Sequence, residues 1–268
     1  MTTQQRFALH TERVGEPESE YRVVFLHGLF GRGKNFTSIA GALQPQAQSL
    51  LVDLPNHGKS DWTDGFSYAQ MADLVATELR AGFAANGPVD VVGHSMGGKV
   101  AMVLAIRHPD IVRKLVVLDI SPTAAASGRK EFQHLLGALA GLELKDLERR
   151  SQADELLADA ITVPTVRGFL LQNLRQDNGI FHWEPNLELL RAELETIMDF
   201  PADLPGGQER SVLWIGGGRS NYVTDADVPA MKKLFPQVAR MTVRDAGHWL
   251  HSERPQEIIA ALRYFLLR

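Results

Sequence analysis

Residues 93–98 read Gly-His-Ser-Met-Gly-Gly, and no other stretch of the chain restricts its fold as tightly. A short β-branched run, Val89–Val92, precedes it, and a stretch with helical spacing, Lys99–Arg107, follows. A serine between strand and helix, with a glycine two places to either side, fits a sharp turn with strained dihedrals. Side chains at 93 and 97 would collide with that turn. The turn lifts the Ser95 hydroxyl above the sheet edge, and the helix N-terminus beyond it favours developing negative charge. Without its strand and helix the pattern would be an ordinary glycine-rich turn. With both in place, Ser95 is the candidate nucleophile.

The surrounding sequence supplies the sheet that such a turn needs. Short apolar runs recur at Val23–Leu26, Ser49–Val52, Val89–Val92, Leu115–Leu118, Val212–Ile215 and Met241–Val243, bounded by Gly, Pro or Asp. They read as strands buried on both faces. Stretches with helical spacing, such as Tyr68–Ala81, Gly98–Arg107 and Gln256–Leu267, lie between or after them. The expectation is an α/β fold: a mostly parallel central sheet with helices on both faces. A further strand near Arg6–Thr11 is expected to pair antiparallel at the sheet edge. From Ser121 to Pro205 no strand is evident. Amphipathic pieces at Lys130–Leu142, Leu144–Ala160, Thr165–Gln176 and Leu187–Met198 are punctuated by Pro164, Pro185 and Pro201. The chain thus divides into a core of 1–120 and 206–268 and a helical insertion of 121–205. Because ligands bind at the carboxyl edge of such sheets, an insertion leaving that edge forms a cap over the site.

Composition removes several functions. The 268 residues include no cysteine, which excludes a disulfide framework, a thiolate metal site and a cysteine nucleophile, and fits a reducing cytoplasm. Net charge is −4, from 28 basic and 32 acidic residues without a basic cluster, so nucleic-acid binding has no electrostatic footprint. No stretch approaches the roughly 20 apolar residues of a membrane helix, and Met1–Gln5 leads into no apolar run of signal-peptide type. H-E-x-x-H metal spacing and the G-x-G-x-x-G dinucleotide fingerprint are absent, so no metal or organic cofactor is expected.

With these motifs in view, the chain resembles the α/β-hydrolase superfamily nearly end to end. His27-Gly28-Leu29-Phe30-Gly31 resembles the oxyanion loop after the family's third strand. Asp53-Leu54-Pro55-Asn56-His57-Gly58-Lys59-Ser60 resembles the D-x-x-x-x-G-x-S loop after its fourth. Ala246-Gly247-His248-Trp249, with Glu253-Arg254-Pro255 behind it, resembles the catalytic-histidine segment. HGLFG, NHGKS, GHSMGGK and DISP together are most similar to small bacterial esterases of the YbfF type. The resemblance implies an α/β-hydrolase fold with its helical cap inserted after the sixth strand of the family's count, here Leu115–Leu118.

A serine hydroxyl needs a base, and there are nine histidines to choose from. His248 follows the last apolar run and precedes the final helix, where the family's base returns to the serine. His251 is expected outside the site, His94 to point away from it, and His57 to stand at the pocket rim. His27, which also has a structural hydrogen-bonding role open to it, Phe30 and Trp249 are candidate substrate-binding residues. Relatives often carry the acid about where Ser220 stands, so the usual carboxylate is missing. Asp119, at the end of the strand next to the nucleophile's, is the expected substitute, since adjacent strands lie only about 4.8 Å apart. Asp225 is the alternative, and helix capping its bland role. The expected oxyanion donors are the backbone N–H groups of Met96 and Leu29, with Phe30 second to Leu29.

These parts imply an ester hydrolase acting through an acyl-enzyme on Ser95. The small-molecule substrate would be an acyl ester, with an acyl group of short to medium length suggested by the apolar cap. A thioesterase, a C–C bond hydrolase, an acyltransferase and a non-catalytic ligand-binding protein of the same fold remain open. Neither a nucleic acid nor a membrane is expected as a partner, and monomer and homodimer both fit.

Overall fold

The computed structural model describes residues 7–124 and 128–268. The strands form where the apolar runs lie. They are β1 (Thr11–Val14), β2 (Tyr21–Leu26), β3 (Ala47–Val52), β4 (Val89–His94) and β5 (Val112–Leu118), with α1 (Thr37–Ala42), α2 (Tyr68–Ala81) and α3 (Met96–Arg107) between them. After β5 come α4 (Arg129–Ala140), α5 (Arg150–Leu157), α6 (Pro164–Leu171), β6 (Leu174–Asp177), β7 (Ile180–Trp183), α7 (Leu187–Ala192) and α8 (Leu194–Met198). The chain then returns to β8 (Val212–Gly217), α9 (Val228–Leu234), β9 (Ala239–Val243), α10 (Leu250–Glu253) and α11 (Pro255–Leu266).

The main sheet has seven strands in the order β1-β3-β2-β4-β5-β8-β9, parallel except for β1. Every residue of β3, β4 and β8 is buried, as strands covered on both faces require. Alternate residues feed two cores. Val23 and Phe25 pack with Ile39 of α1 and Ile258, Leu262 and Leu266 of α11, which recur four residues apart and so share one helix face. Val24 and Leu26 share a core with Met71, Val75 and Leu79 of α2, Val100–Ile106 of α3, and apolar residues of the segment after β5. Ser67 starts α2 by accepting a hydrogen bond from the Gln70 N–H (3.3 Å).

Two expectations change. The edge strand forms at Thr11–Val14, antiparallel to β3 with Thr11 opposite Val52, rather than at Arg6–Thr11. Arg6 itself lies outside the described residues. Residues 8–10 are bonded instead to the loop after β3: the Ala8 N–H to Asp61 Oδ2 (2.8 Å) and the His10 N–H to Ser60 Oγ (2.8 Å). Second, the region after β5 holds a β-hairpin, β6–β7, inside the stretch read as helical. Asn178 and Gly179 form its two-residue turn with φ of 51° and 86°, the left-handed pair that matches hairpin twist. The insertion follows β5, the strand that contains Leu115–Leu118, as expected.

Candidate active site

Strand register places the first pair of functional groups. His94 lies opposite Leu118 across β4 and β5, so the residues that follow each strand, Ser95 and Asp119, emerge side by side. Both take left-handed backbone, with φ of 52° and 48°. The Ser95 N–H donates to the Leu118 carbonyl (3.0 Å) and the Asp119 N–H to the Ile215 carbonyl (2.8 Å), which holds both turns to the sheet. A Cβ at Gly93 would collide with the Gly97 carbonyl, and one at Gly97 with the Leu26 carbonyl, so the elbow has no room for side chains there.

His248 arrives from the loop after β9 and touches both. Its Nε2 lies 2.9 Å from Ser95 Oγ and its Nδ1 2.8 Å from Asp119 Oδ2. Asp119 is 0% exposed, and both carboxylate oxygens are engaged: Oδ1 accepts the Gly217 N–H (2.7 Å), and Oδ2 also accepts the Ser220 hydroxyl. The Ser220 hydroxyl therefore supports the Asp119 carboxylate. Asp225 lies elsewhere, its side chain 97% exposed and paired with Arg240. A buried carboxylate on Nδ1 fixes the imidazole with Nε2 free to accept a proton, and stabilises the imidazolium once formed.

His94, His251 and His57 form a neutral, buried frame. His94 Nε2 donates to the His248 carbonyl (2.7 Å), which ties the elbow to the histidine loop. Burial pushes the His94 ring well below the ordinary histidine range, helped by the neighbouring His251 and His248 rings. Burial also lowers His251 to about 3; its ring stacks on Phe36 and lies 4.3 Å from that of His94. His57, expected at the pocket rim, is fully buried beside His27, and that burial brings it to about 3.

The loop after β2 approaches the elbow closely: a Cβ on Gly28 would stand 3.0 Å from that of Ser95. Leu29 and Met96 both line the cavity at Ser95, and the Met96 amide belongs to the first turn of α3, where N–H groups lack intrahelical acceptors. Of the three substrate-binding candidates, none lines this cavity. His27 is buried, its Nδ1 donating to the Gly28 carbonyl (2.8 Å) and its Nε2 accepting the Leu54 N–H (2.9 Å). With both nitrogens engaged by backbone, it braces the loop. Phe30 is buried with φ of 63°, and its carbonyl accepts from Asn173 Nδ2 of the cap (2.7 Å). Trp249 lines a different cleft, of about 570 Å³, with Val163, Val166, Phe169 and His251.

The walls that sequence reasoning missed are Lys99, Ile120, Phe132, Ile197, Met198 and Tyr222. Tyr222 stacks on His248 with ring centroids 4.0 Å apart, and burial raises its phenol further above the ordinary range, which keeps it neutral. Lys99 left one signal in the sequence, a charge inside the otherwise apolar stretch of α3. Among the described residues, no group of three or more His, Asp or Glu side chains is placed to hold a metal ion. No helix among them is long and apolar enough to cross a membrane.

A strand-end serine, a histidine between it and a buried carboxylate, and a glycine-bearing loop against the elbow form one constellation. The sequence profile described as alpha/beta hydrolase fold matches residues 21–255. The chain belongs to that family. It is 39% identical to the sn-1-specific diacylglycerol lipase ABHD11 of Mus musculus, over 91% of this chain and 80% of the mouse protein. It is 29% identical to Esterase YbfF of Escherichia coli strain K12, over 91% of this chain and 92% of that one. Among solved structures, a marine microorganism esterase superposes with a TM-score of 0.93 at 32% identity, covering 97% of this chain and 100% of the other. The family and its esterase members agree with the resemblance carried by HGLFG, NHGKS, GHSMGGK and DISP.

Proposed function

We propose that this α/β hydrolase is a serine esterase that cleaves carboxylic esters of short- to medium-chain acyl groups through an acyl-enzyme on Ser95. The observation that carries the reading is the unbroken contact chain from Ser95 Oγ through His248 to Asp119. His248 Nε2 takes the hydroxyl proton as Ser95 attacks the ester carbonyl, and the Leu29 and Met96 amides receive the developing oxyanion. His248 returns the proton to the leaving alcohol. Water then repeats the sequence on the acyl-enzyme, releasing the acid and freeing Ser95. Asp119 stays ionised and holds the imidazole. The lipase and esterase relatives support ester cleavage over the other reactions that this fold hosts. The apolar cavity walls support an acyl rather than a polar group beside Ser95.

The test is a chain-length series of p-nitrophenyl esters on the purified protein, alongside matched thioesters and amides, with Ser95→Ala as control. Turnover of short or medium esters that Ser95→Ala abolishes is expected. Turnover of thioesters alone would replace the esterase reading, and no turnover of any member would remove it.

A further inference from the structure

Lys99 stands one helical turn beyond Ser95 on α3 and is only 1% exposed. Its ammonium does not reach water. Nζ lies within hydrogen-bond distance of three successive main-chain carbonyls of the cap: Asp199 (2.7 Å), Met198 (2.8 Å) and Ile197 (3.4 Å). An ammonium has three protons, so these acceptors commit all of them, and none remains for a substrate anion. The Tyr68 hydroxyl donates to the same Ile197 carbonyl (2.5 Å). Burial lowers the lysine to about 7, with the Asp199 carboxylate opposing that shift. The cost of burying this group is offset by contacts to the end of α8 and by the Tyr68 ring, whose centroid is 5.7 Å from Nζ.

Lys99, Ile197 and Met198 are themselves walls of the cavity that holds Ser95. The space left between them is about 10 Å³, no more than one water molecule requires. A longer acyl group entering this cavity meets these walls, and the wall formed by α8 is the one that Lys99 anchors. We propose that Lys99 sets the acyl-chain length this enzyme accepts, by clamping the end of α8 against the nucleophile helix and closing the acyl pocket there. This rests on the reading of Ser95 as the acylated residue. Lys99 acts as a positioning residue, through Ile197 and Met198.

The experiment compares rates of Ser95 phosphonylation by p-nitrophenyl alkylphosphonates from ethyl to decyl, on the full chain, for wild type, Lys99→Met and Lys99→Gln. Methionine keeps a long side chain but cannot hold the carbonyls. The expected result is a long-to-short rate ratio that rises about tenfold in Lys99→Met, the scale at which pockets discriminate chain length, and by less in Lys99→Gln. A loss of rate equal at every length, or an unchanged ratio, overturns the clamp. If Lys99→Met does not accumulate as folded protein, the ratio in Lys99→Gln decides in the same way. Ester turnover by wild type is scored separately. A wild type that is phosphonylated with the expected ratio change but hydrolyses no ester keeps the clamp and loses the esterase reading. A wild type phosphonylated at no length overturns both.

Discussion

The two sides of the Ser95 cavity are built on different principles. On the core side, sheet register sets Ser95 after β4 beside Asp119 after β5, and His248 reaches both from the loop after β9. On the cap side, the contacts that matter are between core or cap side chains and main-chain atoms. Asn173 reaches the Phe30 carbonyl, and Lys99 reaches the carbonyls of Ile197, Met198 and Asp199. On the proposed reading, the core side carries the chemistry, while the segment after β5 holds its donors and walls in place. Substitutions on the core side should act on the rate of every substrate, and those on the cap side on how well the site is assembled and what it admits.

The largest expected effect tests the core side. His248→Ala should reduce ester turnover by about 10⁴-fold or more while circular dichroism stays native, because no other group can take the Ser95 proton. Next is the acid. Asp119→Asn should cost about 10³- to 10⁴-fold in kcat, through loss of the tautomer that frees Nε2. Asp225→Asn should stay within about twofold, since an exposed ion pair contributes little. The opposite ranking in steady-state kinetics would move the acid from β5 to the loop after β8.

The cap side should respond more weakly. Asn173→Leu removes the donor that holds the Phe30 carbonyl, on the loop that supplies the Leu29 amide. One buried hydrogen bond of about 1–2 kcal/mol corresponds to a fall of about tenfold, expected in kcat with KM little changed. A change confined to KM would show that the contact serves substrate binding and not the oxyanion loop.

How legible each side was in the sequence follows from the same contrast. The elbow could be read because glycines at 93 and 97 are steric requirements, and Asp119 because neighbouring strands end together. Ser220 could be read as a missing acid, but its hydroxyl contact with Asp119 needed the fold. The cap resisted. Its hairpin turn at Asn178-Gly179 is a sequence signal, masked by the helical spacing of Thr165–Gln176. Main-chain carbonyls are the same at every position, so nothing in the sequence pairs Lys99 with Ile197–Asp199, or Asn173 with Phe30. The expectations for His27, Phe30 and Trp249 rested on adjacency to a catalytic motif, which does not say which way a side chain turns.

The smallest effect per residue concerns stability around the histidine frame. In the unfolded chain His57, His94 and His251 take up protons near pH 6.5. In the folded protein burial keeps them neutral, His57 and His251 down to about 3. Between about 3 and 6.5 the unfolded state therefore binds more protons, and stability must fall as pH falls through that window. Each such histidine contributes about 1 kcal/mol per pH unit. Chemical denaturation at pH 7 and pH 5.5 should show the loss, and His251→Phe should reduce it. Stability equal at both pH values would contradict a buried neutral frame.

The central claim is that the elbow serine is the nucleophile poised by His248 and Asp119. A fluorophosphonate probe followed by peptide mapping addresses it most directly, because the probe reports the activated hydroxyl without a choice of substrate. Rapid, stoichiometric labelling on Ser95 is expected, abolished by Ser95→Ala and strongly slowed in His248→Ala. Labelling at another residue, or labelling of Ser95 that His248→Ala leaves unchanged, would contradict it.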